Sequence, residues 1–257
     1  MRLALALAAA AAVAAGNALA QERGIPPDQI ESGSEFLGKD LRGLQDDEFA
    51  NPGMLWVERG EKLWEGGAGE KSCAGCHGDA RSSMRGVAAR YPRIDASGGL
   101  LNLEGRINLC RTARMGTAPL AHESAELLAL TAYVARQSHG LPISANIEGE
   151  AKRHFDSGRA YYYGRRGQMN LSCAHCHEAN RGRRLLSETL SQGHPNAYPA
   201  YRLEWQTLGS LERRLRACLS GIRAEMLPYG AREYLDLELY LAWRGRGLAV
   251  ETPGVRR

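Results

Sequence analysis

The pattern Cys-x-x-Cys-His occurs twice in this chain, as Cys73-Ala74-Gly75-Cys76-His77 and as Cys173-Ala174-His175-Cys176-His177. Two thiols at that spacing form thioethers to the vinyl groups of one haem, while the adjacent imidazole reaches the iron. The rival is a zinc site built from both pairs, which must bring the pairs together and leaves both histidines to chance. The pattern predicts two covalently attached haem c groups. Cys73, Cys76, Cys173 and Cys176 carry the thioethers, and His77 and His177 are the proximal iron ligands.

The first twenty residues set the expected compartment. Arg2 is followed by an apolar run over residues 3–13, and Ala18-Leu19-Ala20 offers small residues for cleavage before Gln21. That run is short for a membrane span, so a cleaved signal peptide is expected and an uncleaved anchor is the alternative. No later stretch is apolar for long enough to insert in a membrane. The expectation is an exported, periplasmic protein of about 237 residues, enough for two small haem domains. The chain has only three phenylalanines. Its cores are therefore expected to lean on Leu, Ala, Tyr and the haem face. The net charge of +4 rests almost wholly on arginine, whose planar fork suits oxyanions. No basic arm alternates with aromatics, which argues against a nucleic-acid partner.

The surroundings of the two motifs repeat. Arg59-Gly60-Glu61-Lys62-Leu63-Trp64 returns loosely as Ser157-Gly158-Arg159-Ala160-Tyr161-Tyr162. Leu103-Glu104-Gly105-Arg106-Ile107-Asn108-Leu109-Cys110 returns as Leu211-Glu212-Arg213-Arg214-Leu215-Arg216-Ala217-Cys218. Leu130, Tyr133 and Ala135 correspond to Leu237, Tyr240 and Ala242. Helical apolar spacing over residues 124–137 and 232–243, each followed by glycine, predicts the last helix of each half. No alternating β-branched run predicts a sheet. The expected fold is all-α, with two tandem class I cytochrome c-like domains related by internal duplication. Its parts are a signal peptide (1–20), an arm (21–52), a first domain (53–145), a second domain (146–250) and a tail (251–257). Residues 140–144 form the linker. The arm is open to two readings, a loose tail or a strap.

The group opposite each proximal histidine separates a carrier from a catalyst. Met226, ahead of Pro228-Tyr229-Gly230, and Met115, ahead of Gly116-Thr117-Ala118-Pro119, resemble the methionine loops of electron-carrying cytochromes. Cys110 and Cys218, the two thiols outside the haem motifs, are the rivals; a disulfide between them is a third possibility. Histidines 122, 139, 154, 175 and 194 occupy no matching positions in the two halves. The cysteines do match, which favours a duplicated ligand or catalytic thiolate. Arg214 stands one helical turn before Cys218 and shares its face. Arg213, Arg216 and Arg223 add positive charge nearby, although Arg213 and Arg216 equally suit a solvated helix face. A cationic surrounding lowers a thiol pKa and attracts anions.

With paired haem motifs, a cysteine after each, and Arg214-Leu215-Arg216-Ala217-Cys218-Leu219-Ser220-Gly221-Ile222-Arg223 followed by Pro228-Tyr229-Gly230, the mature chain resembles SoxA. That is the dihaem subunit of the SoxAX cytochrome of periplasmic sulfur oxidation. The resemblance implies an L-cysteine S-thiosulfotransferase, which joins thiosulfate to a cysteine of a SoxYZ-like carrier and works beside a SoxX-like monohaem cytochrome. It implies Cys110 as the axial partner of His77. It also implies Cys218 as the axial partner of His177, a catalytic sulfur carried as a persulfide, with Arg214 binding substrate. A non-catalytic dihaem electron carrier and a thiosulfate dehydrogenase forming tetrathionate are the alternatives.

Overall fold

The computed structural model describes residues 24–66 and 71–257; the expected signal peptide lies outside the described residues. The described residues fall into two units divided after Ile30, and a 3₁₀ turn at Pro27–Gln29 lies in the first.

Two long-range helix crossings build the second unit. Helices α1 (Lys39–Asp46), α2 (Met54–Glu65), α3 (Cys73–His77), α4 (Ala80–Ser83), α5 (Leu103–Cys110) and α6 (Ala125–Arg136) precede residue 140. Helices α7 (Ala151–Tyr163), α8 (Cys173–His177), α9 (Leu211–Gly221) and α10 (Arg232–Arg244) follow it. Helix α2 packs on α6, and α7 packs on α10. Both crossings are close because a glycine sits at the contact. A Cβ on Gly60 would lie 2.1 Å from the Ala129 carbonyl, and one on Gly158 would lie 1.9 Å from the Asp236 carbonyl.

One turn further along, the aromatic pairs also correspond. Trp64 meets Tyr133 with ring centroids 6.0 Å apart, and Tyr162 meets Tyr240 at 5.3 Å. All four rings are buried, so Trp and Tyr supply aromatic bulk beside the expected Leu and Ala. Helix α6 starts where sequence places it, with the Ser124 hydroxyl accepting from Leu127 N at 3.3 Å.

The all-α expectation needs correcting, because three short sheets are present. Strands β1 (Arg93–Ile94) and β2 (Leu100–Leu101) form one hairpin, and β3 (Arg184–Leu185) and β4 (Glu188–Thr189) form another. Strand β5 (Ala200–Arg202) lies between antiparallel β6 (Thr207–Gly209) and parallel β7 (Gly254–Arg256). These strands are two or three residues long, too short for alternation to register in a sequence pattern. The tail strand β7 is buried, with Val255 fully enclosed.

From Glu31 onward the arm is a strap laid on that tail. Ser34 Oγ donates to Glu251 at 2.9 Å, Val255 N donates to Gln45 Oε1 at 3.1 Å, and Asn51 Nδ2 donates to the Pro253 carbonyl at 2.9 Å. The linker is likewise pinned: Gly140 N bonds the Val250 carbonyl, and Ile143 N the Leu248 carbonyl, both at 2.9 Å.

Helices α5 and α9 meet at their N-termini. Asn102 and Ser210 cap them, and the first-turn carboxylates Glu104 and Glu212 face a shared cluster with Glu123 and Glu238. Glu212 and Glu238 are 2% and 6% exposed. Burial, reinforced by the neighbouring carboxylates, raises both acids, Glu212 to about 7. Gly230 N, which donates to Glu212 Oε2 at 2.7 Å, and the Arg216 charge oppose the rise in Glu212. A carboxyl raised in the folded state binds more protons there than in the unfolded chain. Its contribution therefore declines as pH climbs from the ordinary carboxylate range through about 7.

Two stability predictions follow from these contacts. Glu212→Gln raises Tm at pH 8, by roughly 2–4 °C per kcal/mol released, and the gain disappears at pH 4; scanning calorimetry at both values checks this. Gly158→Ala forces α7 away from α10 at a cost of about 1–3 kcal/mol, measured as a lower denaturation midpoint with an unchanged slope.

Candidate functional site

Helix α8 presents Cys173, Cys176 and His177 as one short turn opened by Ser172. His175 is the third residue of the helix, and its Nδ1 lies 3.1 Å from Ser172 N and 2.7 Å from Ser172 Oγ. His175 is thus absorbed in capping its own helix and in a 2.6 Å contact with the Arg165 guanidinium. His177 is held differently. Its Nδ1 bonds the Ser191 carbonyl at 2.8 Å, which fixes the tautomer that leaves Nε2 free for a metal. Gly193 lies flat against the ring; a Cβ there would come within 2.8 Å of His177 Nδ1.

Cys218, on α9, lies beside the His177 side chain. Its sulfur is accessible, yet it lies deep enough in the protein that burial opposes ionisation. Arg214, His177 and Arg202 outweigh that opposition and bring the thiol down to about 7. Burial has the opposite outcome at Cys173, raising it to about 11, and it raises Cys176 as well.

Arg214 lies within the electrostatic reach of Cys218, as the shared helix face predicts. Burial would lower its pKa, but Cys218, Tyr198, Glu188 and Glu204 together hold the guanidinium more firmly charged. Arg213 and Arg216 turn elsewhere. Arg213 stacks on Trp205, 4.3 Å from its centroid, and pairs with Glu123 at 3.7 Å. Arg216 covers the Tyr229 ring at 4.5 Å and bonds the Leu227 carbonyl. Arg223 closes the turn after α9 with φ 54°.

Cys110 ends α5, immediately before a π-helical turn at Arg111–Met115. It is close enough to Cys73 to influence that thiol, whose pKa burial raises. His77, on α3, packs 5.7 Å from the Trp64 ring, and the Trp64 indole donates to the Gly78 carbonyl at 3.0 Å. No disulfide joins any two of the six cysteines. The reason that Cys110 and Cys218 stay apart is geometric. Their helices meet at Glu104 and Glu212, and each cysteine stands six residues further on, roughly 9 Å along its axis.

Met115 ends the turn after α5, and three of the histidine candidates have side-chain partners of their own. Met226 is 47% exposed on a loop tied down by Leu227 N to the Tyr234 hydroxyl at 3.0 Å. His154 pairs with Asp236 at 2.5 Å, and buried His194 contacts Gln192 at 2.7 Å. His122 stacks on Tyr229, and His139 pairs with Val250 in a β-bridge.

Three functional neighbours were invisible to motif reading: Arg202, Glu188 and Ser191. All lie in the stretch between His177 and α9, which is eight residues longer than the corresponding stretch between His77 and α5. That extra length was the available signal. Arg202 is 3% exposed and bonds Glu188 Oε1 at 2.8 Å, while Arg214 reaches Glu188 Oε2 at 3.3 Å.

A covalently held haem needs a vinyl-reactive thiol pair, a metal-facing imidazole and an orienting acceptor behind it. Cys173, Cys176, His177 and the Ser191 carbonyl meet those needs together, and Cys218 brings a further sulfur beside the same imidazole. The residues fit the group. Among the described residues no helix is long and apolar enough to cross a membrane.

Comparison with known proteins agrees with this chemistry. The family described as SoxA/TsdA, cytochrome c domain, matches residues 59–143 and 157–250. The L-cysteine S-thiosulfotransferase subunit SoxA of Pseudaminobacter salicylatoxidans is 43% identical over 93% of this chain and 85% of its own length. The subunit of the same name from Rhodovulum sulfidophilum is 39% identical over 89% of this chain and 81% of its own. A crystal structure of SoxXA from P. pantotrophus superposes with a TM-score of 0.86 at 37% identity, covering 89% of this chain and 87% of that one.

Proposed function

Because the chain belongs to the SoxA/TsdA cytochrome c family, we propose that it is the thiosulfate-conjugating subunit of a SoxAX-type complex, with Cys218 as its catalytic sulfur. The observation that carries this reading is the convergence of the Cys218 thiol with the His177 imidazole and the Arg214 guanidinium. The reaction joins thiosulfate to a carrier-protein cysteine, RSH + S₂O₃²⁻ → RS–S–SO₃⁻ + H⁺ + 2e⁻. Cysteine S-thiosulfonate is formed, one S–H bond is broken and one S–S bond is made.

Two haem c groups are covalently attached, one through Cys73 and Cys76 and one through Cys173 and Cys176. His77 and Cys110 would hold the iron of the first haem, and His177 and Cys218 that of the second. The alike glycine crossings of α2 on α6 and of α7 on α10 support two tandem domains derived from one by duplication. When bound, the haems supply one-electron acceptors for the pair released.

The protein's own groups do the remaining work. Arg214 holds thiosulfate oxygens through a guanidinium fork. Arg202 adds a second, buried cation. The cationic surroundings lower the Cys218 thiol from its ordinary range, which favours the nucleophilic thiolate. The Ser191 carbonyl keeps His177 oriented. The natural partners are a SoxX-like monohaem cytochrome and a SoxYZ-like carrier, and the compartment is the periplasm.

Cys218→Ala is expected to abolish conjugation of thiosulfate to the carrier while haem content stays normal; retained turnover overturns the assignment. Arg214→Ala is expected to raise the thiosulfate KM, with a fall in kcat as well if the contact strengthens in the transition state. Omitting the carrier should stop thiosulfate consumption. Continued consumption with tetrathionate as product indicates a thiosulfate dehydrogenase instead.

A further inference from the structure

The anion site already holds an anion belonging to the protein. Glu188 opens β4, and its two carboxylate oxygens are divided between two cations: Oε1 takes Arg202 at 2.8 Å and Oε2 takes Arg214 at 3.3 Å. This is the bridging position that an oxyanion on Arg214 would take. We propose that Glu188 is an exchangeable counter-ion, which occupies the substrate-anion position at rest and is displaced by thiosulfate. The inference rests on the reading of Arg214 as the substrate-binding cation and adds a selectivity element to it.

Three features make the exchange physically reasonable. First, Arg202 is buried but does not depend on Glu188 alone, because Glu204 lies 3.6 Å from the same guanidinium nitrogen. Its Nε–H has no acceptor among the described residues, so a ligand with more oxygens than a carboxylate offers more partners. Second, the hairpin that carries Glu188 is lightly held. Each strand is two residues long, and the tip residue Leu186 has φ 55° with its side chain 93% exposed. Leu185, opposite Glu188 in register, is 55% exposed. A segment with so little burial opens at small cost. Third, the Glu188 carboxylate is about one-third exposed, so it can leave for solvent without crossing the core.

The resting carboxylate screens Arg214 from weak monoanions and lowers the apparent affinity for any ligand by the fraction of protein in which it is bound. A dianion competes better than a monoanion for two guanidinium groups. Glu188 therefore acts as a positioning and selectivity residue; it does not touch the reacting sulfur.

The test is thiosulfate binding to the haem-loaded complex without carrier, where no turnover occurs, measured by titration calorimetry. Glu188→Gln should tighten the thiosulfate Kd about threefold or more. In steady-state assays with carrier, KM should fall by a similar factor while kcat stays within about twofold. The gain should vanish in Glu188→Gln/Arg214→Ala, compared with Arg214→Ala alone. Glu188→Asp, which keeps the charge and shortens the reach, should fall between wild type and Glu188→Gln, and serves if the amide variant fails to fold. An unchanged or weaker Kd overturns the proposal, since a carboxylate that merely braces Arg214 would lose affinity when removed. The two readings fail separately. Retained turnover in Cys218→Ala with tighter binding in Glu188→Gln removes the transferase and keeps the exchange; a dead Cys218→Ala with unaltered binding in Glu188→Gln does the reverse.

Discussion

A thiol from α9 and an imidazole from α8 face each other in the second half, and each is held by groups outside the contact. The Ser191 carbonyl and the flat backbone of Gly193 set the His177 ring. Arg214 and Arg202 set the charge state of Cys218. The site depends on this meeting of sulfur and nitrogen. Remove Arg214, and burial of the Cys218 thiol loses its largest opposing charge. Remove the Ser191 carbonyl, and the imidazole loses the hydrogen bond that frees its other nitrogen for a metal.

The fold makes that meeting possible by packing helices closely. Gly60 and Gly158 remove the side chain that would separate α2 from α6 and α7 from α10. The motif helices α3 and α8 follow those crossings directly in sequence. The capped starts of α5 and α9 meet over a buried cluster of carboxylates, so the cysteines further along each helix are directed to their own haem motifs. Burial raises Glu212 and Glu238, a stability cost that comes with this head-to-head arrangement. Arg213 and Arg216, at the edge of the cluster, compensate local charge and stacking and do not serve the site.

Much of this was legible in the residues. The spacing of the two haem motifs announced the cofactor chemistry. The helical offset of four between Arg214 and Cys218 placed both on one face, and the capping pattern located the start of α6. The matching positions of Cys110 and Cys218 favoured a thiolate over a disulfide or methionine at the sixth position, but which groups surround each thiol depends on what converges in space. It also missed Glu188, Arg202 and Ser191, which lie in an irregular stretch with strands of two or three residues. Their roles arise from tertiary contact alone. The eight-residue excess of that stretch over its counterpart was the one numerical trace they left. The strap from Glu31 onward was undecided for a similar reason: its fastenings are single polar contacts to the tail, without periodicity.

The most direct measurement is an electron-density map of the oxidised, haem-loaded complex at the iron of the second haem. Sulfur from Cys218, with or without an added sulfur atom, should stand opposite His177. A Met226 thioether in that place, or Cys218 joined to Cys110 in a cystine, would contradict the assignment and leave a protein that only carries electrons.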